Sequence, residues 1–175
     1  IVRSGKALYV GISNYNAKQT KKAAEILDEL GTPFIIHQHK YSMFYRELEK
    51  GTDKVINKKG LGTIVFSPLS QGLLTSKYLD GIPKGSRADS KSVFLKKNDI
   101  TESYLKKAQK LHKLAQERSQ TLAQMALAWV LNNPVVTSAL VGASSPEQIE
   151  ENAKTINNLG FEKEELQRIE EILKS

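Results

Sequence analysis

Leu140-Val141-Gly142-Ala143-Ser144-Ser145-Pro146-Glu147-Gln148-Ile149-Glu150-Glu151-Asn152 is the stretch on which the reading of this chain turns. An apolar, β-branched run ends in a Gly-Ala-Ser-Ser turn, and the turn opens straight into a helix. Ser145 stands at the N-cap position, Pro146 at the first helical position and Gln148 at the third, the spacing of a capping box. Such a turn brings backbone N–H groups, small side chains and the positive end of a helix dipole to one place, so it suits an anion such as phosphate. A capped helix that binds nothing accounts for the same residues. The stretch alone leaves both readings open.

Three further strand-to-turn units precede it. Leu8-Tyr9-Val10-Gly11-Ile12 reads as a strand ending in Ser13-Asn14-Tyr15, followed by a helix from about Ala17, capped by Asn16 and stopped at Gly31. Phe34-Ile35-Ile36 reads as a buried strand ending in His37-Gln38. Its connection through Tyr41-Ser42-Met43-Phe44 leads to a segment near Val55 and Ile56, closed by Gly60. Thr63-Ile64-Val65-Phe66 is the third strand and ends in Ser67-Pro68-Leu69. Ser70 to about Ile100 is rich in Gly, Pro, Ser and Lys, a length of loop that is usually functional or disordered. Helices are expected from about Glu102 to Arg118, from Thr121 (N-cap, with Gln124 at N3) to Asn132-Asn133-Pro134, and from Glu162 to Leu173. Met125, Trp129 and Val130 should face the core. The fourth strand is expected over Thr137 to Val141, and the helix of the opening stretch then runs towards Leu159-Gly160.

Four βα units in series imply a parallel sheet with right-handed crossovers, in which chemistry collects at the carboxyl ends of the strands. The 175 residues fit one domain or a piece of a larger barrel. The first residue is Ile1 rather than Met, which suggests a fragment or a processed product. Half a barrel has two unpaired strand edges and an apolar inner face, so pairing with a missing half, or a homo-oligomer, is expected.

Composition narrows the function. With no cysteine, disulfides, thiolate metal sites and cysteine nucleophiles are excluded. No apolar run approaches a membrane helix and no signal peptide is evident, so a soluble cytoplasmic protein with no membrane partner is expected. The formal net charge is +7, but the lysines are scattered, as at Lys18, Lys21, Lys22, Lys58, Lys96 and Lys110, and no arginine-rich tract occurs. Solvated helix faces or a small phosphorylated ligand fit that charge better than nucleic acid. Gly60-Leu61-Gly62 precedes its strand, whereas a dinucleotide fingerprint follows one; there is neither a P-loop lysine motif nor a Gly-x-Ser-x-Gly elbow. His37 and His39 share a strand face, as metal ligands do, yet no third ligand is evident and no metal is expected.

Gly11-Ile12-Ser13-Asn14-Tyr15, Gln38 with Tyr41, Phe66-Ser67-Pro68-Leu69-Ser70-Gln71-Gly72-Leu73-Leu74, and Gly142-Ala143-Ser144 with Gln148 and Glu151-Asn152 recur in that order at βα spacing. Together they resemble the aldo-keto reductases, within them the branch of bacterial L-glyceraldehyde 3-phosphate reductases and the β subunits of voltage-gated potassium channels. The resemblance covers essentially the whole chain but only the carboxyl-terminal half of the family's fold. It therefore implies an α/β chain forming the last four units of a (β/α)8 TIM barrel, all 175 residues belonging to one barrel domain. It also implies NADPH-dependent reduction of small aldehydes or ketones to alcohols.

By motif, Ser13, Asn14 and Gln38 would hold the nicotinamide carboxamide, supplying the donors and acceptors an amide needs. Phe66 takes the position of a ring stacked on the nicotinamide. Ser67, Leu69 and Gln71, with Pro68 among them, would line the pyrophosphate. Lys77 and Arg87 would add positive charge from the long loop. Beyond Gly142, Ser144 and Gln148 would meet the adenosine 2′-phosphate, and Glu151 and Asn152 the adenine. Three positions depart from the family pattern: Gln148, where other branches often have arginine, Ser76, which interrupts the usual Thr-Gly-Lys, and Tyr45, which replaces a common Asn.

The family's catalytic Asp, Tyr, Lys and His belong to strands that precede Ile1. No catalytic residue is assigned here, and the isolated chain is expected to be inactive. A regulatory subunit that senses nicotinamide nucleotides, like the channel β subunits, is the alternative. A flavodoxin-like half-sheet with another phosphate ligand is a third reading.

Overall fold

The helices that follow Asn16 and Thr121 begin with a reciprocal exchange of hydrogen bonds, because the first N–H groups of a helix have no partner within it. Asn16 Oδ1 accepts from the Gln19 N–H at 3.0 Å while Gln19 Oε1 accepts from the Asn16 N–H at 3.0 Å, and Thr121 and Gln124 repeat the pattern at 3.2 and 3.0 Å. The computed structural model describes residues 1–86, 88–89 and 95–175; the expectation for Arg87 lies outside them. Strand β1 (Val10–Ser13) leads to helix α1 (Ala17–Glu29), β2 (Phe34–Lys40) to α2 (Thr52–Lys59), and β3 (Gly62–Phe66) to α3 (Glu102–Glu117) and α4 (Leu122–Leu131). Strand β4 (Val136–Ala139) leads to α5 (Pro146–Ala153) and α6 (Lys163–Lys174). Gly60, with φ of 63°, takes the left-handed conformation that ends α2.

The four strands form one parallel sheet in the order β1-β2-β3-β4, without the reversal that marks a doubly wound sheet. The fold is α/β, consistent with part of a barrel. Register fixes which residues share a face: Ile12, His37 and Thr63 lie side by side, as do Ser13, Gln38 and Ile64. His37, His39, Thr63, Val65 and Val136 are buried beneath the helices, in a core with Ile56, Leu111, Leu114, Met125, Trp129 and Ile169. The opposite face carries Gly11, Ser13, Ile36, Gln38, Lys40, Ile64 and Phe66, and none of these is buried. Gly11 is required by the close approach of the next strand, since a Cβ there would stand 2.6 Å from Ile36 Cγ2.

Both outer strands are shorter than their sequences suggest. The expected strand from Leu8 begins at Val10, with Leu8 78% and Tyr9 58% exposed; the one expected to reach Val141 stops at Ala139, with Leu140 and Val141 left exposed. Each is an edge strand with a single neighbour, and the β3–β4 register shifts between Thr63 and Ile64. Past Ala139 the ladder continues only through the Leu140 N–H, which donates to Val65 O at 2.8 Å. Apolar residues at such an end have no layer to pack on.

The capping box expected at Ser145 and Gln148 does not form. Ser145 is the N-cap residue and Pro146 opens α5, but the Ser145 side chain makes no cap bond. Gln148 Oε1 reaches one residue further back, accepting from the Ser144 N–H at 2.9 Å and the Ser144 hydroxyl at 3.3 Å. The Ser145 hydroxyl engages Glu147 instead and, with the backbone N–H of Glu147 itself, holds that carboxyl below the usual range.

The long stretch after Ser70 carries short 3-10 turns at Ser70–Gly72, Ser76–Tyr78 and Lys97–Asp99. A small apolar cluster of Tyr78, Ala88 and Leu95 packs with Leu73, Ile82 and Leu105. Among the described residues no helix is long and apolar enough to cross a membrane.

Candidate functional site

The carboxyl ends of β1, β2 and β3 bring Ser13, Asn14, Gln38 and Phe66 together. Ser13 pairs with Gln38, and Lys40, two residues on along the same face, pairs with Phe66. Asn14 follows β1 in the left-handed region with φ of 55° and is pinned twice. Its N–H donates to Gln38 O at 2.9 Å, and its Oδ1 accepts from the Lys40 N–H at 3.2 Å. That leaves its amide Nδ2, the Ser13 hydroxyl and the Gln38 amide without side-chain hydrogen bonds among the described residues. These are the donors and acceptors a carboxamide requires.

A second group follows β3. Ser67, Ser70 and Gln71 hold φ of 54°, 46° and 59°, and none is glycine. Left-handed backbone at three positions within five residues costs energy, and such strain collects at ligand-binding turns. Pro68 is buried and Leu69 packs on the main core, so these two offer a ligand backbone rather than side chain. Gln71 Oε1 is buried with no hydrogen-bond partner, an orphan acceptor in this turn. Lys77 is exposed, its N–H received by Thr75 Oγ1 at 3.2 Å. Ser76 opens the short turn there.

The third group is the exposed turn after β4. Gly142, Ser144, Gln148 and Glu151 face solvent, Asn152 is half-buried, and Gln124 Nε2 ties the segment to α4 by donating to Glu151 O at 3.0 Å. With Gln148 Oε1 already engaged, its Nε2 is the donor left for an anion.

The structure adds two features to this region. One is a cavity of about 270 Å³ between the β2–α2 connection and the strand ends, lined by Asn14, Lys40, Tyr45, Glu47, Lys50 and Phe66. The alternation of side chains along β2 places Lys40 on the face of Gln38, a signal present in the sequence. The other is the buried Tyr41, whose hydroxyl donates to Glu49 Oε1 at 2.8 Å and accepts from Asn133 Nδ2 at 3.3 Å, while its ring stacks on Trp129. Tyr41 belongs to the core and faces no ligand site.

The histidine pair lies on the helix side of the sheet. The His37 and His39 rings stack at 5.3 Å, and among the described residues no group of three or more His, Cys, Asp or Glu side chains could hold a metal ion. Among the described residues neither ring nitrogen of His37 has a hydrogen-bond partner. Burial first, then the neighbouring His39, lower its pKa from 6.5 to about 4, with the Tyr15 carbonyl pulling the other way. Above pH 6.5 His37 is neutral folded or unfolded and contributes nothing to pH dependence. Between pH 6.5 and about 4 the unfolded chain takes the proton that the folded chain refuses, so stability falls as pH falls. The loss over that window is on the order of 3 kcal/mol. Urea unfolding at pH 7.5 and pH 4.5 checks this: the drop should shrink in His37→Leu, and an equal drop in the variant would contradict it.

The model of the aldo/keto reductase family matches residues 1–174. An L-glyceraldehyde 3-phosphate reductase of Escherichia coli O157:H7 is 47% identical over 174 residues, which are 97% of this chain and 50% of the relative. The Escherichia coli K12 protein of the same description is 46% identical over the same shares of both chains. A putative voltage-gated potassium channel subunit beta of Schizosaccharomyces pombe is 36% identical over 180 aligned positions, 99% of this chain and 52% of the relative. The chain thus spans about half the length of these relatives. With a family match that runs along nearly every residue, the chain belongs to the aldo/keto reductase family.

Proposed function

We propose that this chain is the NADPH-binding half of an aldo-keto reductase, contributing the last four βα units of its (β/α)8 barrel. The observation that supports this best is the meeting of Ser13, Asn14, Gln38 and Phe66 on one uncovered sheet face, beside a turn held in left-handed backbone. The residues fit the nicotinamide end of the cofactor: free amide and hydroxyl groups for a carboxamide and a ring for the nicotinamide. NADPH bound there supplies hydride to the carbon of a small aldehyde or ketone. Ser13 and Gln38 would orient the carboxamide, and the Phe66 ring would stack on the nicotinamide. The open sheet face is where the preceding half of the barrel, or another copy, would pack.

Ser13, Asn14, Gln38 and Phe66, the residues assigned to the nicotinamide, include no titratable acid to give the carbonyl oxygen a proton. Tyr41, the nearby phenol, is 2% exposed, and its proton is committed to Glu49. Without a positioned acid the developing alkoxide is unstabilised. The isolated chain is therefore expected to show no NADPH oxidation above buffer with a panel of small aldehydes. Robust turnover would overturn the proposal.

The similarity to a channel β subunit favours a second reading, in which cofactor occupancy regulates a partner. NADPH-dependent association with a larger protein in a pull-down would favour it over catalysis.

A further inference from the structure

The cavity at the end of β2 holds a cation that the cofactor assignments leave unused. Lys40 and Lys50 both line it, as does Glu47. Glu47 Oε1 stands 2.6 Å from Lys50 Nζ, so those two charges answer each other. No carboxylate lies within 4 Å of Lys40 Nζ among the described residues. Its ammonium sits over the Tyr45 ring, 4.5 Å from the centroid. A ring face steadies a cation without neutralising it or taking up its three N–H donors as a carboxylate would.

The backbone beneath is fixed as well. The Lys40 N–H donates to Asn14 Oδ1 at 3.2 Å, and its carbonyl lies 2.8 Å from His39 Nδ1. Lys40 is paired with Phe66 across the sheet and stands two residues beyond Gln38 on the same face. A strand advances about 3.3 Å per residue, so the Lys40 Cα lies roughly 7 Å past that of Gln38. The charge is thus carried by a ring and a tethered strand end, next to the position assigned to the nicotinamide.

We propose that Lys40 is a specificity residue: its ammonium receives an anionic group, carboxylate or phosphate, borne by the carbonyl substrate a few bonds from the reacting carbon. This rests on the cofactor reading above, with Asn14 and Phe66 marking the reacting end of the cavity. Tyr45 then has a role that its departure from the family pattern left unexplained, as the ring that holds the cation in place.

Equilibrium dialysis of the chain, with and without NADP⁺, against inorganic phosphate, glyoxylate and the neutral glycolaldehyde tests it. The two anions should bind and glycolaldehyde should not. Phosphate outcompeting glyoxylate, or the reverse, identifies the anion class. Lys40→Met should lower anion affinity at least about tenfold and Lys40→Arg should keep it, because the first loses a hydrogen bond between charged groups and the second retains it. NADPH affinity should stay within about twofold in both variants, since only the charge changes and the backbone bond to Asn14 remains. Unchanged anion affinity in Lys40→Met, or no saturable anion binding by the unsubstituted chain, overturns the proposal. Lys40-dependent anion binding in a chain that fails to bind NADPH keeps the anion site and removes the reductase reading.

Discussion

Arg118→Met is expected to lower the unfolding free energy of the chain by about 3–5 kcal/mol, the range for breaking a buried ion pair by removing one partner. The Arg118 side chain is 4% exposed and lies at the end of α3. Its guanidinium pairs with Glu165, donates to Gln120 Oε1 at 2.9 Å and to Gly160 O at 2.7 Å, and lies over the Phe161 ring at 3.9 Å. Glu165 also accepts the Glu162 N–H at 2.7 Å, which caps α6. Removing the arginine strands a carboxylate that starts a helix and a carbonyl that ends a loop, so the methionine stem recovers only the apolar contact. Arg168 makes a superficially similar pair with Glu117, at 2.6 and 2.9 Å, but those side chains are 50% and 55% exposed. Arg168→Met should cost under about 1 kcal/mol, because water screens the pair and already solvates both charges. Urea unfolding of both variants separates the two cases, and equal losses would contradict the assignment of Arg118 as the tie between α3 and α6.

Gln148→Ala is expected to weaken NADPH binding by roughly 1.5–3 kcal/mol and to leave NADH nearly unchanged, since a hydrogen bond to a charged phosphate carries about that much. Gln148 Oε1 accepts from the Ser144 N–H and hydroxyl, which fixes the turn, and under the proposed assignment its Nε2 is the donor to the 2′-phosphate. Alanine removes the donor and loosens the turn together. Glu147, in the first turn of the same helix, sets the limit on this site, because its carboxylate opposes a phosphate nearby. Calorimetric titration with each nucleotide checks the assignment, and equal losses for both would refute it.

The sequence carried most of the element order because helix signals are local. Asn16 with Gln19 and Thr121 with Gln124 form the boxes that their spacing announces, as the bonds are made within three residues. Ser145 with Gln148 has the same spacing and does not, since Ser144 and Glu147 compete for the two side chains and only the folded turn decides between them. The grouping of Ser13, Gln38 and Phe66 follows once four parallel strands lie in sequence order, each bringing its carboxyl end to the same edge. Arg118 was hidden for the opposite reason: Gly160 and Glu165 lie 42 and 47 residues away, and nothing in a basic residue at a helix end names such partners. Leu140 and Val141 misled, because an apolar pair after a strand signals burial only where a second layer exists to cover it.

The proposed function requires these strand ends to hold a nicotinamide nucleotide. Titrating the chain with NADPH, followed by nucleotide fluorescence, tests it most directly, with Gln38→Ala as the companion variant. Saturable one-to-one binding that weakens in the variant is the predicted result. No saturable binding, or binding that Gln38→Ala leaves unchanged, would contradict the account.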